Sequence, residues 1–273
     1  MGSRNQNSDI LDRLHVDPAG PAMVRQTVSV CMATYNGSRF IKQQISSILE
    51  QTARVDEIII VDDASSDNTV DILKSLCDAR FMLLQNQINI GVVRSFERSI
   101  MHATGDLIFL CDQDDIWRPD KVELFKQLFA SHPDITIVIS DANVIDEHGK
   151  KVRESWFGFP RFIPGLLANL RRNRYTGCLL ALRKSVLAYC LPIPPRVPMH
   201  DMWIGILCQL YGKVGYLPEP LVSYRRHRDN VTSEKHASFL QMATWRFWLF
   251  WELAKRLLKM QRESAPNQDC NLL

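Results

Sequence analysis

Five short apolar runs dominate the first half of the chain: Val28 to Tyr35, Glu57 to Val61, Phe81 to Leu84, Asp106 to Cys111 and Thr136 to Ile139. A segment with helical spacing separates each from the next. Phe40, Ile41, Ile45, Ile48 and Leu49 recur at that spacing within Ser38 to Gln51. Val70, Leu73 and Cys77 do so after the helix-starting cluster Ser65-Ser66-Asp67-Asn68-Thr69. Gly91 to Ala103 predicts a third helix closed by Gly105, and Pro119 suits the first position of a fourth, with Val122, Phe125, Leu128 and Phe129 turned inward. Strands that alternate with helices cannot pair as hairpins, so they must cross over and run parallel. The unbroken run Glu57 to Val61 suits a strand covered on both faces. The expectation is an α/β fold, a mostly parallel central sheet with helices on both faces. Such sheets bind ligands beyond the carboxyl ends of their strands. Tyr35-Asn36, Asp62-Asp63 and Asp112-Gln113-Asp114-Asp115 all fall there.

The last of these carries the most chemistry. Three carboxylates within four residues repel one another unless a cation neutralises them. Carboxylate oxygens favour hard ions such as Mg²⁺ or Mn²⁺, and such an ion, held by Asp112 and Asp114 and left partly open, could grip a diphosphate. Asp115 reads as a helix cap. Asp62 or Asp63 could accept hydrogen bonds from a base or ribose, although capping and turn formation are common at such junctions. The usual phosphate loops are missing: no G-x-G-x-x-G follows the first strand and no G-x-x-x-x-G-K-[ST] occurs.

The second half is less regular. Trp156 to Arg174 reads as a loop segment. Thr176-Gly177-Cys178 leads into a strand through Leu182. A Pro-rich stretch from Pro192 to Pro198 precedes a helix from Asp201 to about Tyr211. Val214 to Tyr224 suggests a strand interrupted by Pro218 and Pro220. A net charge of +3 is too weak to argue for nucleic acid, and the seven cysteines contain no C-x-x-C pair and sit mostly in apolar runs, as small core residues of a reducing compartment do. Residues 1–26 are polar and read as a flexible leader without the apolar core of a signal peptide.

Taken in order, Ala33-Thr34-Tyr35-Asn36-Gly37, Val61-Asp62-Asp63-Ala64-Ser65-Ser66-Asp67-Asn68-Thr69, Asn89-Ile90-Gly91 and Cys111-Asp112-Gln113-Asp114-Asp115 resemble family 2 of the inverting glycosyltransferases, with the GT-A fold. Downstream, Thr176-Gly177-Cys178, His200-Asp201-Met202-Trp203 and the run from Tyr224 to Val231 are similar too, most of all to a bacterial rhamnosyltransferase-like branch. The resemblance covers Val28 to Thr232. It implies a catalytic domain over 27–232, with a nucleotide-binding half at 27–130 and an acceptor half at 131–232, followed by an amphipathic helix and tail at 233–273. Thr34, Tyr35 and Asn36 would line the nucleotide pocket, and Asp63, with Asp62 near it, would contact base or ribose. Asp112 would bind the ribose edge, and Asp112 and Asp114, with His227, the metal and diphosphate. Asp201 would be the general base, raised in pKa by the neighbouring Trp203 and the Pro-rich approach. The donor would be dTDP-rhamnose or a UDP-sugar, the acceptor a glycan or lipid-linked glycan, and the compartment the cytoplasm. Asp201 could also be a helix cap, and His227 a surface residue among Arg225, Arg226 and Arg228. A silent nucleotide-sugar-binding scaffold is the alternative, against which intact Asp112, Asp114 and Asp201 speak.

Phe239 to Met260 carries Trp245, Phe247, Trp248, Phe250 and Trp251 beside Arg246, Lys255, Arg256, Lys259 and, just beyond, Arg262. An aromatic helix with a basic flank suits peripheral contact, through 239–262, with the inner face of the plasma membrane. Packing on its own domain or against a second subunit of a homodimer suits it equally.

Overall fold

The computed structural model describes residues 25–76, 78–158, 169, 173–228, 230 and 239–264. The expected leader lies outside the described residues except for its last two, as do most of the loop segment before Asn173, Cys77 and the chain beyond Ser264.

Among the described residues nine strands form one sheet in the order β3-β2-β1-β4-β8-β6-β9-β5, with β7 paired to β6. The first half follows the expected rhythm: β1 Val28–Thr34, α1 Ile41–Leu49, β2 Glu57–Asp62, α2 Thr69–Ser75, β3 Phe81–Gln85, α3 Val92–His102 and β4 Leu107–Cys111. β1, β2, β3 and β4 are parallel neighbours, as crossover connections require. β1 and β4 are buried along almost their whole length, which is why they read as continuous apolar runs.

Beyond β4 the sheet becomes mixed. β5 (Ile116–Trp117) precedes α4 (Lys121–Ser131), whose first turn starts two residues after Pro119. β6 (Ile135–Ile145) does not join β4. β8 (Leu180–Arg183) is inserted between them, antiparallel to both. β9 (Lys213–Arg225) lies parallel to β6, and β5 and β7 (Lys151–Arg153) run antiparallel to their partners. Six strands thus share one direction and three oppose it. The two prolines do not interrupt β9; the register shifts around Asp141 and Pro220, where the missing N–H is taken up as a bulge. Short α5 (Leu187–Cys190), α6 (His200–Tyr211) and the long α7 (Phe239–Ser264) complete the chain. The five described cysteines are buried and free.

Candidate active site

The carboxyl ends of β1, β2, β4 and β9 meet α6 and the segment before β8 around one cleft of about 880 Å³. Thr34, Tyr35, Asp63, Asp112, Asp114 and Asp201 all line it, together with Gly177, His200 and Asn230. Residues from 34 to 230 therefore converge on one concave surface.

The nucleotide side is built by hydrogen bonds among strand ends. Asp63 is buried, and its carboxylate accepts from the backbone N–H groups of Ile90 (2.9 Å) and Gly91 (2.8 Å) and from the Asn86 amide (2.7 Å). It thereby folds the loop before α3 against the cleft. Gly91 makes this turn with φ 88°, a conformation that only glycine adopts freely. Gln113, in the middle of the acidic run, accepts from Tyr35 N–H (2.9 Å) and donates to Tyr35 O (3.1 Å), joining the ends of β1 and β4. A Cβ on Gly37 would lie 2.2 Å from Gln113 Oε1, so any larger residue there would displace the Gln113 amide.

Two expected pocket residues serve the scaffold instead. Asn36 and Asp62 do not line the cleft. The Asn36 side chain accepts from Ser66 N–H (2.8 Å), and the buried Asp62 accepts from Thr34 Oγ1 and Ser65 N–H, both at 3.0 Å. Polar groups at adjoining turns bond one another here.

The acidic run divides three ways. Asp114 Oδ2 lies 2.7 Å from His227 Nε2, and Asn230 donates to the same oxygen at 3.2 Å. Asp115 is not a helix cap, because α4 begins six residues later, behind Asp120; its Oδ1 accepts from Arg225 N–H at 2.8 Å. Asp112, Asp115 and Cys178 place three donor atoms within 4.8 Å of one another. The tightest donor set among the described residues is thus not the expected trio of Asp112, Asp114 and His227. Burial pushes the Cys178 thiol well above its ordinary pKa, which keeps it protonated, and a thiol is a poor partner for a hard cation. At 2.7 Å the Asp114–His227 contact is a direct hydrogen bond, slightly shorter than the roughly 2.8–3.0 Å edge of an octahedron with about 2.0–2.1 Å bonds, so a shared ion would spread the two donors by a few tenths of an ångström. Carboxylate and imidazole donors at that spacing, with Asp112 on the same cleft, fit Mg²⁺ or Mn²⁺.

Burial pushes the Asp112 carboxyl up to about 7, aided by the like charges of Asp114 and then Asp201, so these acids feel one another across the cleft. Burial also raises Asp115 well above the carboxylate range. A fully buried cation balances them. Lys121 donates to Cys178 O at 2.9 Å and sits 3.8 Å from the centre of the Trp117 ring, and burial lowers its pKa to about 8. A second is Arg225, which donates to Asp114 O (2.7 Å) and Gln43 Oε1 (2.7 Å) and stacks over Phe40. Neither residue stood out in the sequence. Lys121 looks like the first residue of a surface helix, and Arg225 like one of a basic run.

Asp201 sits in the first turn of α6. Its carboxylate accepts from Asn173 Nδ2 (3.0 Å), Gly177 N–H (3.2 Å) and Met202 N–H (2.6 Å). Burial raises its pKa to about 6 against these lowering bonds. The direction is as expected, but Trp203 is not the named partner: its indole donates to Cys190 O at 2.7 Å, and Arg256 lies over its ring. Next door, His200 stacks on Phe96 and is kept neutral by burial, with a pKa of about 3.

The family model described as glycosyl transferase family 2 matches residues 29–190. A protein of Escherichia coli named UDP-Glc:alpha-D-GlcNAc-diphosphoundecaprenol beta-1,3-glucosyltransferase WfgD is 37% identical over 185 residues, covering 66% of this chain and 69% of its own. An uncharacterised glycosyltransferase of Nostoc sp. is 29% identical over 228 residues, covering 77% and 70%, and an uncharacterised protein of Mycobacterium tuberculosis is 30% identical over 219 residues, covering 75% and 60%. The chain therefore spans 60–70% of the length of these relatives. Among solved structures, S. aureus TarS 1–349 in complex with UDP-GlcNAc superposes with a TM-score of 0.65 at 15% identity, over 85% of this chain and 66% of that one.

Proposed function

Because the chain belongs to glycosyl transferase family 2, with more than half its length matched, we propose that it is an inverting, metal-dependent enzyme of surface polysaccharide synthesis in the cytoplasm. It moves a sugar from a nucleotide diphosphate to a hydroxyl of a glycan or lipid-linked acceptor. The catalytic unit runs from 27 to 232, with the nucleotide half at 27–130. One relative named for UDP-Glc, and TarS complexes with UDP and UDP-GlcNAc, favour a uridine nucleotide; dTDP-rhamnose is the second donor.

The base would stack on the ring of Tyr35, 49% exposed at the cleft. Asp63, whose Oδ2 keeps one unused lone pair, would accept from base or ribose. Asp112, Asp114 and His227 would hold Mg²⁺ or Mn²⁺, which when bound supplies charge stabilisation to the departing diphosphate. Asp201 would take the acceptor's hydroxyl proton as that oxygen bonds the anomeric carbon from the face opposite the leaving phosphate oxygen. One observation carries this reading: the Asp201 carboxyl lies in the same cleft as Asp63 and Asp112, buried enough to reach a pKa of about 6. Such a group is ionised at neutral pH yet more basic than an ordinary carboxylate. Donor turnover measured across a panel of UDP- and dTDP-sugars, with and without Mn²⁺, tests it. Mn²⁺-dependent release of nucleotide diphosphate is expected. Tight donor binding with no turnover on any acceptor extract would instead mark a scaffold.

A further inference from the structure

Helix α7 has two different faces. Leu249 and Leu253 are buried against the domain, and Tyr211 Oη donates to Met260 Sδ at 3.0 Å. Arg256 donates to the carbonyls of Tyr189 (2.6 Å) and Leu191 (2.9 Å), and Arg196 stacks 3.8 Å from the Trp248 ring centre. The helix is thus fastened to α6 and to both ends of the Pro-rich approach that leads to Asp201. Packing accounts for this face and leaves the opposite one unexplained.

On the opposite face Phe247, Phe250, Trp251 and Leu258 are 59%, 51%, 52% and 55% exposed. At 3.6 residues per turn Phe247, Trp251, Ala254 and Leu258 form one continuous stripe. Phe247 and Trp251 stack on each other with centroids 6.5 Å apart, so this aromatic surface is preformed. Exposed Lys255, whose ammonium also meets the largely covered Glu252 carboxylate at 3.3 Å, and exposed Lys259 and Arg262 border one side of it. No helix among the described residues is long and apolar enough to cross a membrane.

We propose that the outer face of α7 is a docking surface for an anionic lipid bilayer, lying in the plane of the headgroups with the aromatic stripe inserted. Two arguments favour lipid over a second copy of the chain. Half-exposed side chains of this size offer about 400 Å² in all, roughly half of what each partner of a stable dimer buries. An antiparallel two-fold pairing would also bring two rows of cations together, whereas anionic headgroups complement them. Aromatic rings beside lysines and arginines are the composition that partitions to the interface. Docking there would set the wall that carries Asp201 beside the membrane. That consequence rests on the glycosyltransferase reading; the docking itself does not.

Co-sedimentation of the full chain with vesicles of 70% phosphatidylcholine and 30% phosphatidylglycerol tests it, against pure phosphatidylcholine. The protein should pellet with the anionic vesicles and be released by high salt. Lys255→Gln with Lys259→Gln should weaken binding about 30-fold, two charges at about 1 kcal/mol each. Phe247→Gln with Trp251→Gln should abolish pelleting while the far-ultraviolet circular dichroism stays unchanged. Failure of the native chain to pellet, or undiminished pelleting of the aromatic variant, would overturn the proposal. So would a native dimer in analytical ultracentrifugation that the aromatic variant converts to monomer. Since binding needs no turnover, an inactive enzyme that still docks would count against Asp201 as the base and not against the surface.

Discussion

His227 and Asp114, 113 residues apart in sequence, meet with Nε2 and Oδ2 separated by 2.7 Å. Phe40 leans on the imidazole ring at 5.0 Å, and Asn230 bonds the same carboxylate oxygen. The turn after β9 is thereby tied to the acidic strand end. If the pair shares a divalent ion, His227→Ala should raise the Mn²⁺ concentration giving half-maximal turnover by on the order of tenfold or more. Chelation by EDTA should abolish turnover and added Mn²⁺ restore it. Titration of activity against free Mn²⁺ in both proteins checks this.

Asp201→Asn keeps the shape of the carboxyl while removing its basicity. Turnover should fall by roughly 10²–10⁴, the usual worth of a positioned base. Calorimetric affinity for the nucleotide diphosphate should stay within about threefold of native. A parallel loss of both would mean that Asp201 serves donor binding or folding.

The pH profile follows from the same carboxyl. Burial raises its pKa to about 6, and the base works only when ionised, so kcat should rise through about pH 6 and level off above it. The bond from Asn173 favours the charged form. Asn173→Ala should therefore move the acid limb of the profile to higher pH, whereas a merely structural defect would lower the rate without moving it.

The acidic cluster should weaken the metal-free protein at neutral pH. A carboxyl whose folded pKa lies above its unfolded value contributes most below the unfolded value, and that contribution is lost as pH rises through the folded one. For Asp112 this window runs from its ordinary value of 3.8 to about 7. Asp112→Asn should then stabilise the metal-free fold at pH 7.5 by about 1 kcal/mol or more, roughly 2–4 °C in Tm, while abolishing turnover. Scanning calorimetry in EDTA measures it.

Lys121 acts in the opposite sense. Lys121→Met removes the buried cation that faces Asp112 and Asp115, and breaking a buried charge constellation typically costs about 3–5 kcal/mol. Adding Asp115→Asn should recover part of that loss. Urea unfolding of the two single variants and the double variant gives the coupling directly.

The order of the first four strands and their helices was legible because each strand in a crossover unit is buried on both faces, leaving an unbroken apolar run. The acidic strand end was legible for a similarly local reason: a crowd of carboxylates is a property of a few adjacent residues. Asn36 and Asp62 show the limit. Their type and position are those of ligand-facing residues, but neighbouring serines and a threonine satisfy them first.

Sequence alone determined the α/β rhythm, the strand ends that carry polar groups and the family to which the chain belongs, because these depend on local pattern and ordered motifs. Tertiary structure decided which polar residues face the cleft. It inserted β8 between β4 and β6, buried Lys121 and Arg225 beneath the carboxylates, paired His227 with Asp114, and gave α7 both a packed and an exposed aromatic face. Each depends on contacts between residues far apart in the chain, where desolvation and charge compensation are set by neighbours that no local pattern specifies.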